Sequence, residues 1–362
     1  MWPTPTAKDF DVLRSVPTHR PRRYANLRVV FEFAWYNGLT NMEYAAISSF
    51  ILAKSMGAEV RSSFKLNQQK KTVVPTRDIW DVDKIKDMWA DVGLTAGVDF
   101  GEDVHAINIP GGLFWRLNSI GGLRKQVWEA VDKVLKDKPL ENDTKILKIH
   151  TDHAHFALDV NTCRDETIAA AVMLPFAPRH VELARTVIRT LREHGWSKFN
   201  GAHLRLEQDG LRAFAKTAGF DGVLNAYVRS FDIVNMNSSL PMYVATGIIA
   251  TGGEEWEKTQ ETLLQGHAST LVYLNNVIPS IAIDGIPCEQ LATVDMMVLA
   301  ASEVFVGAAY STFSIFVSLL RARLGYSREL STLMLPSNET AGFMNRLRRG
   351  SYILDLRTMS LD

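Results

Sequence analysis

From Phe199 to Leu206 small, apolar and polar positions alternate, and the alternation stops at Glu207-Gln208-Asp209. Leu211, Phe214 and Ala215 then recur at helical spacing. A period of two that gives way to one near 3.6 predicts the carboxyl end of a strand feeding a helix. The same switch recurs through the second half. Strands are predicted at Met242–Ala245, at Thr270–Tyr273 and around Val304, and helices at Glu254–Leu264, at Pro287–Ala301 and from Ser311, with another around Leu224. Strands and helices alternating at this spacing predict a parallel sheet covered on both faces.

The first half is less regular. Leu27–Ala34 carries the β-branched and aromatic residues of a strand. Tyr44, Ile47, Phe50, Ile51 and Lys54 mark a helix over Asn41–Met56, which Gly57 ends. With a strand at Glu59–Phe64, the chain opens on a βαβ unit whose first turn is Asn37–Asn41. Asp83–Val92 and Leu123–Leu135 predict helices and Thr144–Ile149 a strand, while Gly93–Gly122 reads as a long excursion of the kind that often carries function. A helix over Arg179–His194 starts after Pro178 and stops at Gly195. The expected layout is a loose arm over 1–23, an α/β domain over 24–195, a second over 196–336 and a polar tail over 337–362.

At 362 residues the chain suits two domains. Lys+Arg and Asp+Glu are 40 each, and this balance argues against a nucleic-acid partner, which calls for a basic face. Two cysteines, Cys163 and Cys288, make no disulfide framework. The first residues lack the apolar core of a signal peptide, and the run Met296–Leu320 is too interrupted to span a bilayer.

The chemistry gathers at strand ends. His203 and Arg205 lie two apart and project from one strand face, at the edge where open α/β sheets bind ligands. A guanidinium there offers a planar fork to phosphate, or else pairs structurally with Glu207 or Asp209. Ser302–Gly307 is a strand entering a glycine, and Ser311 or Thr312 then caps a helix. Such a start provides N–H groups and hydroxyls for an anion, or simply a cap. His150-Thr-Asp-His-Ala-His155 can ligate zinc or can be a polar strand end.

These residues resemble a family. His203-Leu-Arg-Leu-Glu-Gln-Asp209, Pro241-Met-Tyr-Val-Ala-Thr-Gly247, and Asp295 followed by Glu303-Val-Phe-Val306 and Ser311-Thr-Phe313 are similar to three segments of plant-type protein O-fucosyltransferases. Asn37-Gly-Leu-Thr-Asn41 and Asp78-Ile-Trp-Asp-Val-Asp83 resemble two more, and all run in the family's order from about Asn26 to Leu324. The resemblance implies an α/β, GT-B-like fold of two Rossmann-like domains facing a cleft. It implies GDP-fucose as donor, a protein Ser/Thr or glycan hydroxyl as acceptor, no metal and no cofactor. It places Asn41 near the sugar-diphosphate and His203 and Asp295 near the nucleoside; the residues themselves offer Gly38 for close approach of a ligand, Arg205 as the cation and Ser311 and Thr312 as hydroxyl donors for the diphosphate, and Phe313 for the guanine or the core.

The family works in the ER or Golgi lumen, yet this sequence shows no signal peptide or anchor. One branch carries a glutamate before its Gly-x-Asn turn, where Tyr36-Asn-Gly38 offers none, so Glu43 and Glu207 are the remaining candidates for a base. Two other readings stay open: a catalytically silent nucleotide-sugar or glycan-binding protein on the same fold, and a metal hydrolase using His150–His155.

Overall fold

The computed structural model describes residues 3–35, 39–64, 76–97, 104–109, 119–141, 144–151, 158, 162–214, 218–279 and 283–334, and the chain divides into two compact units at Ala177/Pro178. Gly38, His153, His155 and the expected tail lie outside the described residues.

The first unit holds helices α1 (Ala7–Arg14), α2 (Leu39–Met56), α3 (Val82–Asp91), α4 (Ile120–Asp137) and α5 (Arg164–Val172). Its strands β1 (Arg28–Trp35), β2 (Glu59–Phe64), β3 (Val104–Asn108) and β4 (Ile146–Thr151) form a parallel sheet in the order β2-β1-β4-β3. Val29, Phe31, Val60, Ile107, Leu147 and Ile149 are buried, and α2 packs on β1 and β2. Alternate positions carry charge. Glu32 stands in register with Arg61 and His150 and accepts from Lys148 Nζ (2.6 Å) and His150 Nδ1 (2.9 Å). Burial pushes its carboxyl up, but the His150 and Lys148 contacts together outweigh this and hold it at about 2.

The expected loose arm is structured instead. Asp9 accepts from the Thr6 N–H (2.6 Å) and hydroxyl (2.7 Å) at the start of α1, and α1 packs on α5. Leu13, Val16 and Tyr24 are buried, and Tyr24 stacks on Trp128 with ring centroids 5.1 Å apart. Three apolar anchors thus hold down a segment whose prolines and arginines suggest a tail. The excursion over Gly93–Gly122 also contains β3, an edge strand whose pairing to β4 no periodicity announces.

The second unit begins with α6 (Pro178–Glu193), which packs on a later helix of that unit. The division therefore precedes α6, not the Gly195 that ends it; Gly195 adopts φ 81°, as a helix stop requires. Next come β5 (Asn200–His203), α7 (Gln208–Phe214), α8 (Gly219–Ile233), β6 (Met242–Ala245), α9 (Ile248–Thr251) and α10 (Glu254–Leu264). Then follow β7 (Leu271–Val272), α11 (Leu274–Val277), α12 (Cys288–Ala300, the partner of α6), β8 (Phe305–Ala308), α13 (Thr312–Arg323) and β9 (Ser331–Met334).

The sheet is parallel in the order β7-β6-β5-β8-β9, with every residue of these strands buried, as expected for strands covered on both faces. The chain winds outward from β5 to β7, then crosses back to place β8 and β9 on the other flank. β5 and β8 therefore flank the topological switch point, whose carboxyl edge is the ligand crevice of such sheets.

At the opposite end of β8, Arg321 is wholly buried. Its guanidinium donates to the carbonyls of Ser302, Glu303 (2.9 Å) and Leu330 (2.9 Å) and to the Ser331 hydroxyl (2.8 Å), and it lies 4.2 Å from the centre of the Tyr326 ring. Burial brings its pKa down to about 10, so it stays charged at neutral pH.

Candidate functional site

The site is built on the end of β5. Gly201 lets the turn after α12 cross close by, since a Cβ there would meet Ser302 Oγ at 2.6 Å. Past β5, Leu204 and Leu206 point into the core, while Arg205 keeps 32% of its side chain exposed. The alternation read from the sequence thus continues past the last paired residue. His203 is buried, its Nδ1 lies 2.6 Å from Ser314 Oγ, and its ring packs on Phe313 with centroids 4.5 Å apart. Burial, with Arg205 nearby, lowers its pKa to about 3, so the imidazole is neutral at physiological pH.

Ser314 joins the two edges. Its hydroxyl accepts from the Ala308 N–H (2.9 Å) at the end of β8 and meets His203 at the end of β5. Gly307 makes room, because a Cβ there would stand 2.5 Å from Ser314 Oγ. Ser311 is the N-cap of α13, and its hydroxyl makes no capping bond. The helix starts at Thr312, so the positive end of its dipole lies at this edge.

Arg205 donates from Nη1 to Glu207 Oε2 (3.1 Å) and from Nη2 to Asp209 Oδ2 (2.6 Å). These are the pairings of the structural reading, but the two carboxylates differ. Glu207 is anchored, because its Oε1 also accepts from the Gly247 N–H after β6, at a glycine whose Cβ would clash with it at 2.7 Å. Asp209 is 72% exposed and free to swing away from an incoming anion at little expense. Two bonds also leave donors over on a five-donor guanidinium.

The structure therefore brings His203, Arg205, Glu207, Ser311, Thr312 and Phe313 to one edge. Asp295 lies on α12. It accepts from Tyr243 OH (2.6 Å), and burial raises its carboxyl to about 6 despite that hydrogen bond. Glu43 and Asn41 belong to α2 of the first unit, where the Asn41 side chain lies outside the described residues.

Neither carboxylate candidate is placed as an accessible base. Glu207 is committed to Arg205 and Gly247. Glu43 is fully buried, and burial pushes its carboxyl well above the usual range. The Trp80 indole opposes that push, yet neither Glu43 oxygen takes a hydrogen bond of ordinary geometry. His150 spends its Nδ1 on Glu32, and among the described residues no group of His, Cys, Asp and Glu is arranged to hold a metal. No described helix is long and apolar enough to cross a membrane.

Ser314, Tyr227, Tyr310 and Gly247 escape the sequence reading. Two of them left a signal: Gly247 closes a segment that resembles the family, and Ser314 stands three residues after the N-cap of a predicted helix.

Among solved structures, POFUT1 in complex with GDP-fucose matches with a TM-score of 0.52 at 12% identity, over 83% of this chain and 96% of that one. NodZ alpha-1,6-fucosyltransferase soaked with GDP-fucose matches at 0.48 and 13%, over 81% and 92%. Fucosyltransferase NodZ from Bradyrhizobium matches at 0.46 and 12%, over 82% and 93%. No protein-family model matches the chain, and no curated protein matches it in sequence. At such identity the likeness to POFUT1 shows the fold alone: an α/β protein on parallel sheets.

Proposed function

We propose that this chain is an O-fucosyltransferase-like glycosyltransferase that moves fucose from GDP-fucose to a protein Ser/Thr or glycan hydroxyl without a metal. The observation that supports this reading is that Arg205, with 32% of its side chain exposed, follows β5 at the switch point between β5 and β8, and that α13 starts just past β8. As the glycosidic bond breaks, negative charge develops on the departing diphosphate, and preorganised donors at that place lower the barrier. Arg205 supplies the cation, and Ser311, Thr312 and the first-turn N–H groups supply dipoles that need no reorganisation. Neutral His203 and the Phe313 ring offer a polar and a flat contact to the nucleoside, with Asp295 as a further polar contact on α12.

The fit to POFUT1 supports the reading at the level of the fold. One observation favours a second reading, a silent nucleotide-sugar binder: neither Glu43 nor Glu207 is free to take a proton from an acceptor. The test has two stages. GDP and GDP-fucose should raise the melting temperature with increasing concentration, and far more than UDP-glucose does, in the presence of EDTA. Equal shifts with both sugars, or loss on chelation restored by manganese, would sink the donor and metal assignments. Fucose transfer in an acceptor screen then separates enzyme from binder.

A further inference from the structure

β5 and β8 pair only at Gly201–Phe305 and Ala202–Val306. The Gly201 N–H donates to Val304 O (2.8 Å), while the Leu204 N–H donates to Ala245 O (3.0 Å) after β6. Odd-numbered residues of this stretch thus turn their peptide groups toward β8 and even-numbered ones toward β6. Beyond Ala202 the chain still presents His203 O, the Arg205 N–H and Arg205 O on the β8 side, past the last strand pair.

Side chains take over from the missing strand. Tyr227 OH, from α8, donates to His203 O (2.8 Å) and accepts from the Arg205 N–H (2.9 Å). One phenol thereby plays both parts of a strand peptide. Tyr310 OH donates to Arg205 O (3.0 Å). Tyr227 is fully buried, so it occupies a fixed rotamer, and burial keeps its phenol protonated. Both backbone polar groups of Arg205 are therefore gripped by tyrosine hydroxyls, one element beyond regular structure.

We propose that Tyr227 and Tyr310 are positioning residues for Arg205: they extend the β5 ladder by two residues and so fix the direction in which the guanidinium meets a diphosphate. The inference rests on the reading of this edge as a diphosphate site. A loosened Arg205 peptide would misaim the guanidinium while leaving nucleoside contacts untouched. A structural role alone predicts reduced stability with no preference between ligands.

The test titrates GDP and guanosine into wild type, Tyr227→Phe, Arg205→Ala and the double variant, counting folded protein only. In Tyr227→Phe the Kd for GDP should rise about tenfold, the scale set by losing one buried hydrogen-bond partner, with guanosine unchanged. In the Arg205→Ala background Tyr227→Phe should add less than about twofold, because the two substitutions act on one interaction. Equal losses for GDP and guanosine, or full additivity, would overturn the positioning role. Tyr310→Phe, expected to weaken GDP in the same selective sense, serves if Tyr227→Phe does not fold; GDP affinity unchanged in the folded variants also overturns it. Wild type that binds no GDP removes the diphosphate reading and this inference together, whereas GDP binding with the wrong variant pattern removes the tyrosines' role alone.

Discussion

Arg205 spends two of its donors on carboxylates that differ in exposure. In the structure it balances Glu207 and Asp209, and the exposed Asp209 holds a place that a phosphate oxygen can take. If that exchange occurs, Arg205→Ala lowers fucosyl transfer by about 10²–10³, the typical loss of one preorganised donor. Arg205→Lys should recover only part, since an ammonium lacks the planar fork. Titration of GDP-fucose into folded Arg205→Ala decides the matter, and wild-type affinity there would leave Arg205 as a purely structural ion pair. At this scale the sequence was informative where chemistry is unusual. An arginine two residues past a histidine at a strand end is visible in the letters, while Tyr227 looks like any core aromatic on a helix and gains its meaning only from the strand it replaces.

Elements explain why the site is legible in outline. The helix expected from Ser311 or Thr312 is α13, starting at Thr312 with Ser311 as N-cap, because capping and periodicity are local signals. β9 had no such signal: its four residues, Ser-Thr-Leu-Met, become a strand by pairing with β8. The arm and the unit division escaped for the same reason, since apolar anchors do not say which distant element they meet. The β8–α13 connection is also tight enough to test. A methyl at Gly307 would press on Ser314 Oγ (2.5 Å) and on Phe305 Cζ (2.8 Å), so Gly307→Ala should both strain the strand and push Ser314 away from His203. The expected loss is about 1–3 kcal/mol in urea unfolding, as for other overpacked cores, together with weaker nucleotide binding. An unchanged unfolding midpoint would mean that the contact is looser than it looks.

Across the molecule, two parallel sheets are treated differently. The first unit carries a charged network on alternate strand positions, whereas the second encloses its strands completely and places its chemistry only at their ends. That enclosure gives Arg321 a consequence for how the second unit comes apart. Among the described residues the cation forms no ion pair; it is solvated by the chain itself, through the turn after α12, the entry to β8, the segment ending at Leu330 and the first residue of β9. Peeling away any one of these strips part of a charge's solvation shell while the rest still shuts out water, so partial opening is penalised more than complete opening. The unit should therefore lack a low-energy route in which β9 frays first, although β9 is an edge strand. Native-state hydrogen exchange would show the amides of β9 and of Glu303 opening with one shared free energy, and Arg321→Met would split them, β9 exchanging first. Separate opening in the wild-type protein would refute the lock. A buried charge held by backbone carbonyls, serine hydroxyls and an aromatic ring thus acts on sequence in time, deciding not only whether the unit is stable but which parts are allowed to move without the others.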